Sequence, residues 1–214
     1  MRVHIATDHA GLELSHYLIE SLTAAGYEMI DHGPADYDPL DDYPSFCINA
    51  ALGVKRDREA GLDSLGIVLG GRGNGEQMAA NKVEGIRAAL AWNHDTAALA
   101  REHNNAQVVA VGGRQHSKEE ALEIIKVFLA TPWTNEERHA RRIGQLAEYE
   151  QTGDIAGKQI DADLRWNLVC RLATGGRFSA EQIAAELEND NTANGQQYAA
   201  QAYASIPTAE AKAE

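Results

Sequence analysis

The chain has 214 residues, 44% of them hydrophobic, which is enough to bury a sizeable core in one domain of ordinary size with something smaller beside it. A formal charge of -13 argues against nonspecific nucleic-acid binding, which needs a basic face, and leaves any anionic ligand to local groups of arginines. No stretch approaches the ~20 apolar residues of a membrane span, the opening Met1–Gly11 has neither the apolar core nor the cleavage site of a signal peptide, and the expectation is a cytoplasmic protein without a membrane partner.

In chain order, Arg2–Ala6 reads as a first strand, and Leu12, Leu14, Leu18, Ile19 and Leu22 follow at helical spacing up to Gly26. Tyr27–Ile30 is a short second strand. Asp31–Pro44, rich in proline and aspartate, is a loop, and Pro44 opens a helix toward Arg58. Leu65–Leu69 is a third strand, with a helix beyond it to about Lys82. Ile86–Ala91 is a fourth strand, His94–His103 a helix, and Val108–Val111 a fifth strand. Helices over Lys118–Leu129 and Asn135–Tyr149 follow, parted by Thr131-Pro-Trp-Thr134, with Thr134 as the expected N-cap of the second. Cys47 and Cys170, lacking partners at metal-ligand spacing, read as reduced, packed thiols, and Trp92 and Trp133 as core or interface residues.

Strands alternating with helices predict a three-layer, Rossmann-like α/β fold with a five-stranded parallel sheet over residues 1–153. Residues 154–214 show no strand pattern. Ile160, Leu164, Leu168, Val169 and Leu172 predict one helix, Ser179 caps a second through Leu187, and the Gln/Ala-rich stretch gives a third, with Pro207–Glu214 fraying. The acidic balance of this helical extension, which lacks a basic recognition helix, argues for assembly or packing rather than DNA.

Ligands of parallel sheets bind at the carboxyl ends of the strands. Four such ends carry polar residues: Asp8-His9, the loop Gly70-Gly-Arg-Gly-Asn-Gly-Glu76, Trp92-Asn-His94 and Gly113-Arg114. The glycine loop is not a dinucleotide fingerprint, since Glu76 stands where glycine or alanine is needed, nor a triphosphate loop, since Glu76 and Gln77 replace its Lys and Ser/Thr. A carboxylate beside backbone N–H donors suits proton abstraction next to a carbonyl, the donors holding the enediolate oxygen. A tight turn with a capping glutamate has the same appearance.

Asp8-His-Ala-Gly11, Asp42-Tyr-Pro44, the glycine loop, Asn81-Lys82, Ala98-Leu-Ala-Arg-Glu-His-Asn-Asn-Ala106, Gly112-Gly-Arg114 and Arg138-His-Ala-Arg-Arg142 together resemble the ribose-5-phosphate isomerase B family, which also holds galactose- and allose-6-phosphate isomerases. The likeness runs from Met1 to about Tyr149 and is strongest to the actinobacterial branch. In the other main branch a cysteine at the position of Gly70 is the base, so the resemblance implies Glu76 here. It further implies ring opening by His103 with help from Asp8, transfer of the C2 proton to C1 by Glu76 through a cis-enediolate, and oxyanion binding by Gly71, Arg72, Gly73, Asn74 and Gly75. His9, Arg114, Arg138 and Arg142 would take the phosphate, and Asn104 with Asp42-Tyr43 the sugar hydroxyls. No cofactor or metal is implied. The family resemblance implies a homodimer, or a tetramer of two dimers, with shared sites in which Arg138 and Arg142, and His9 as a further candidate, come from the subunit opposite Glu76.

Arg72, where relatives carry Ser or Thr, and the long extension open two alternatives: the same chemistry on a tetrose or hexose phosphate, or a sugar-phosphate sensor that does not turn its ligand over.

Overall fold

Five apolar runs become five strands because each alternates its side chains between two helical layers. The computed structural model describes residues 1–153 and 161–207. The strands are β1 (Arg2–Ala6), β2 (Glu28–Asp31), β3 (Ser64–Gly70), β4 (Ala88–Leu90) and β5 (Val108–Gly112), all parallel, in the order β2-β1-β3-β5-β4. Helices α1 (Leu12–Ala24), α2 (Tyr43–Glu59), α3 (Asn74–Ala80), α4 (His94–Asn104) and α5 (Lys118–Ala130) cover the two faces, and α6 (Glu137–Thr152) follows.

The period of two decides which face each residue serves. Val3, Ile5, Leu65, Ile67, Leu69, Val109 and Val111 pack with Leu14, Leu18 and Leu22 of α1 and with Ile125 and Phe128 of α5. Their alternates Ala6, Val68, Val108 and Ala110 pack with Cys47, Ala50 and Val54 of α2 and with Ala79 and Ala80 of α3. Small residues dominate the second face, so α2 and α3 lie close on the sheet. Gly66 shows how close: a Cβ there would stand 3.0 Å from methyl carbons of both Val54 and Val108.

The chain steps outward from β1 to β2, then returns to the other side of β1 for β3. The carboxyl ends of β1 and β3 therefore flank the topological switch point, where such sheets open a crevice. Asp8-His9 and the glycine loop leave from these two ends.

Most expected elements form, with shifts at their edges. The helix after the glycine loop stops at Ala80, where Asn81 turns back to accept from the Ala88 N–H and donate to the Ala88 carbonyl. β4 is reduced to Ala88–Leu90. Thr134 does not cap α6, which begins at Glu137; its hydroxyl donates instead to the carbonyl of Glu102 at 2.8 Å, and Asn135 takes a φ of 52°. Trp92 is 45% exposed, so it is no core residue.

Two compact units divide after Glu150. The second contains α7 (Ala162–Thr174), α8 (Ala180–Asn189) and α9 (Ala193–Ser205) around its own core of Trp166, Val169, Ala173, Ile183, Ala199 and Ala202. Ser179 caps α8 through a reciprocal bond pair with Gln182, and Trp166 Nε1 donates to Asp190 Oδ2 at 2.8 Å. Ile160 and residues 208–214, expected to open a helix and to fray, lie outside the described residues. Among the described residues no helix is long and apolar enough to cross a membrane.

Candidate active site

β3 delivers the chain to Gly70, and the turn into α3 leaves no room for a side chain at Gly73 or Gly75. Gly73 caps α3 with φ 79°, in the left-handed region, and a Cβ there would lie 2.6 Å from Leu90 Cδ1. The loop is stapled to the exit of β5: Gly113 N–H donates to the Gly70 carbonyl at 2.8 Å and Arg114 N–H to the Gly71 carbonyl at 3.2 Å. Gly75 gives its space to the Tyr43 ring, whose Cζ and hydroxyl oxygen would stand 2.6 Å from an added Cβ.

Glu76, in the first turn of α3, is 5% exposed. Its carboxyl folds back over the strand end, so that a Cβ on Gly70 would fall 1.7 Å from Oε1 and 2.2 Å from Cδ. Burial pushes the Glu76 pKa upward, nearby Asp8 adds to the rise, and the backbone N–H groups of Glu76 and Gly73 oppose it by bonding the carboxylate. A carboxylate raised toward neutrality and still supported by N–H donors is a good general base. Cys47 underlies the same region but is no competitor, since burial, helped by Glu76 and Asp8, pushes its thiol up to about 12. Replacing Gly70 with Ala must expel the Glu76 carboxyl from its seat; the expected result is a folded protein whose kcat falls on the order of a hundredfold or more, measured by turnover alongside a melting curve.

Asp8 is 8% exposed, and its Oδ1 accepts the Ala10 N–H at 2.9 Å. α1 starts hard against the loop: a Cβ on Gly11 would stand 2.2 Å from Thr7 Oγ1 and 3.4 Å from Gly70 N. His9 is gripped by Asp41, whose Oδ1 accepts both the backbone N–H at 3.1 Å and ring Nδ1 at 2.6 Å. Asp41 is a site residue that the sequence reading passed over. Donor atoms of Asp8, His9 and Asp41 all lie within 4.8 Å of one another. A tetrahedral metal with bonds near 2.0–2.1 Å, however, spaces its ligands by about 3.3 Å, and the 2.6 Å Nδ1–Oδ1 separation is that of a hydrogen bond. His9 thus stands beside Asp8 on the same switch-point edge as Glu76 of its own chain.

His103 and Asn104 end α4, and this decides where they are. α4 starts past the carboxyl end of β4 and runs back along the sheet for 11 residues, about 16 Å at 1.5 Å per residue. Its last residues consequently stand at the amino edge of the strands, where Arg87, just before β4, bonds the carbonyls of Asn104 at 2.8 Å and Asn105 at 3.1 Å. Within one chain His103 and Asp8 occupy opposite edges of the sheet and cannot form a pair.

A second polar group gathers at that amino edge. His103, Asn104, Arg87, His139 and Arg142 line a cavity of about 200 Å³. The rings of His103 and His139 stack 4.2 Å apart at 13°. His139 is 5% exposed, and burial followed by repulsion from His103 lowers its pKa. Arg138, one residue before His139, is exposed and bonds Glu136 at 2.9 Å. Of the expected residues, then, Asp8, His9, the glycine loop, Glu76 and Arg114 share one edge, while His103, Asn104, Arg138 and Arg142 belong to the other end of the unit. Arg72 and Arg114 are exposed, and among the described residues neither side chain has a hydrogen bond or ion pair.

The fold and the carboxyl edge define an α/β protein with a buried carboxylate seated beside a glycine-rich loop at the switch point of its parallel sheet. Comparison with known proteins makes this specific: the chain belongs to the ribose/galactose isomerase family, whose profile matches residues 3–146. It is 58% identical over 152 residues to ribose-5-phosphate isomerase B of Mycobacterium tuberculosis, covering 71% of this chain and 91% of the relative. The fold is similar to the structure of ribose-5-phosphate isomerase B from Mycoplasma genitalium with bound ribulose-5-phosphate (TM-score 0.67, 39% identity, 71% of this chain and 97% of the other). It is also similar to the type B enzyme of Trypanosoma cruzi (TM-score 0.65, 40% identity, 72% and 98%). The profile match ends before α7.

Proposed function

We propose that this protein interconverts ribose 5-phosphate and ribulose 5-phosphate, with Glu76 as the base. The observation that carries the reading is the buried Glu76 carboxyl, seated over Gly70 at the switch point beside Asp8. Starting from the open-chain aldose, Glu76 removes the C2 proton and the electron pair shifts to the C1 carbonyl, giving a cis-enediolate. The same carboxyl then delivers that proton to C1, while the O2 proton passes to O1, so that C1 carries the hydroxyl and C2 becomes the ketone carbonyl. Nothing is oxidised overall, and the hydrogen count of the sugar is unchanged. The N–H groups of residues 71–75 hold the enediolate oxygen; in comparable anion holes a single donor is worth about 3 kcal/mol. His9 and Arg114 take the phosphate from this chain.

Ring opening needs His103, which this chain holds at its other edge. The working unit is a dimer in which the partner's amino edge, with its copies of His103, Asn104, Arg138 and Arg142, closes over the glycine loop. The separation of the two polar groups along α4 supports this arrangement. Both groups are separately prepared, one with a raised carboxyl and one with stacked imidazoles beside arginines.

Exposed Arg72, without a carboxylate partner, favours a second reading in which the sugar phosphate differs from a pentose. Turnover of ribose 5-phosphate beside tetrose and hexose phosphates decides. A rate on ribose 5-phosphate at least about tenfold above the others is expected, equivalent to about 1.4 kcal/mol of preference; a higher rate on another sugar assigns Arg72 a role in specificity. Silence on all of them, together with no deuterium incorporation from D₂O, removes the isomerase reading.

A further inference from the structure

Asp41 is a buried carboxylate that the proposed reaction does not use. Its side chain is 9% exposed, and Oδ2 is buried without a hydrogen-bond partner among the described residues. A lone carboxylate oxygen removed from water is costly, the more so when it is charged, so the loop that imposes it must be well held. That loop is tied to the end of β1 by the Thr7 N–H on the Gly33 carbonyl at 3.1 Å, and closed by Asp41 N–H on the Asp38 carbonyl at 3.2 Å and Leu40 N–H on Asp38 Oδ1 at 2.9 Å. Tyr37 sets its ring edge-on to His9, with centroids 6.0 Å apart and planes at 86°. Two residues of the segment, Tyr37 and Asp41, thus reach the same imidazole.

An ionised carboxylate only accepts, so His9 must carry a proton on Nδ1, and Nε2 is the ring nitrogen left for a ligand. The second bond from Asp41 Oδ1, to the His9 backbone N–H, fixes the main chain as well as the ring. We propose that Asp41 is the positioning residue of the phosphate site: it holds His9 as the Nδ1–H tautomer with Nε2 turned to the phosphate of the sugar. Placed this way, Nε2 accepts from a phosphate hydroxyl when the ring is neutral and donates to a phosphate oxygen when it is charged. The groups facing the ring are Asp41, Tyr37 and the neighbouring Asp8. The ligand in this inference rests on the isomerase reading; the tautomer does not.

The experiment is a double-mutant cycle on the full-length protein with Asp41→Ala, Asp41→Asn and His9→Ala, reading KM and kcat for ribose 5-phosphate and the binding of orthophosphate. Asp41→Ala is expected to raise KM and weaken orthophosphate binding about tenfold with kcat within about threefold, since the chemistry at Glu76 is untouched. Asp41→Asn, which keeps an acceptor oxygen, recovers most of that loss. In the His9→Ala background, Asp41→Ala costs less than about twofold more, because Asp41 acts through His9. In the wild-type protein, ring-nitrogen NMR finds the His9 proton on Nδ1. An equal cost of Asp41→Ala with and without His9, a loss confined to kcat, or a proton found on Nε2 alone overturns the inference. If the wild-type protein does not turn over ribose 5-phosphate, the functional reading fails, while the ring NMR and the orthophosphate titration still decide the role of Asp41.

Discussion

Glu76→Gln is expected to eliminate turnover while leaving phosphate-ligand binding within about tenfold of wild type. The amide fills the same space over Gly70 but cannot take a proton, and a positioned base contributes on the order of 10²–10⁴ in rate. Because Glu76 is buried beside Asp8, its raised pKa should appear as the acid limb of kcat/KM, above the range of an ordinary carboxylate. The same shift fixes a stability effect and its sign. A carboxyl whose pKa rises on folding binds its proton more tightly in the folded state; the stability this contributes is complete below the unfolded pKa and is lost as pH rises through the folded one. Rising pH therefore removes stability through Glu76, and Glu76→Gln should melt higher than wild type at neutral pH, with the gap closing in acid. Kinetics, ligand titration and melting curves against pH check all three. Equal loss of binding and turnover, or a lower melting point at neutral pH, would make Glu76 a structural residue.

Mixing two inactive variants should restore activity. In the proposed dimer, Glu76→Gln and His103→Ala each disable every site of their own homodimer. In a mixed dimer one site collects both defects and the other has none. Random re-association makes half of the dimers mixed, and half of their sites intact, so recovery should approach about one quarter of the wild-type rate. The expectation follows from α4, which carries His103 to the amino edge of the sheet while Glu76 stays at the carboxyl edge. Activity should also fall on dilution as dimers part. A mixture that stays dead after verified subunit exchange would mean that each chain completes its own site.

Much of this was legible in the sequence for a simple reason: the central strands are buried on both faces, so they read as short apolar runs, and β3 and β5 end in glycine. Glycine spacing marked the loop because no other residue fits at Gly73 or Gly75. The failures have physical causes too. β4 looked longer than Ala88–Leu90 because Ile86 is buried in the turn before it, not in the ladder. Thr134 looked like a cap because its hydroxyl prefers a backbone partner, and it found one in Glu102 instead. Asp41 was hidden among the aspartates of the segment from Asp31 to Asp42, where nothing local singles out the one that reaches His9. His139 lay unremarked between Arg138 and Arg142, since stacking on His103 is a long-range contact without a periodic signature. The separation of His103 from Asp8, by contrast, was available from topology alone: a helix that leaves the carboxyl end of one strand must return to the amino end of the next.

Gly70 and Glu76 share one small volume, the carboxyl lying where the strand residue would place its first side-chain carbon. The two positions are therefore a single inherited choice. A descendant that gained at 70 a side chain unable to act as a base, while keeping glutamate at 76, would lose the proposed base, and one that shortened 76 first would wait with an empty seat. Either order passes through an enzyme that cannot serve its cell, so pairs at these positions should change together across related genes or not at all.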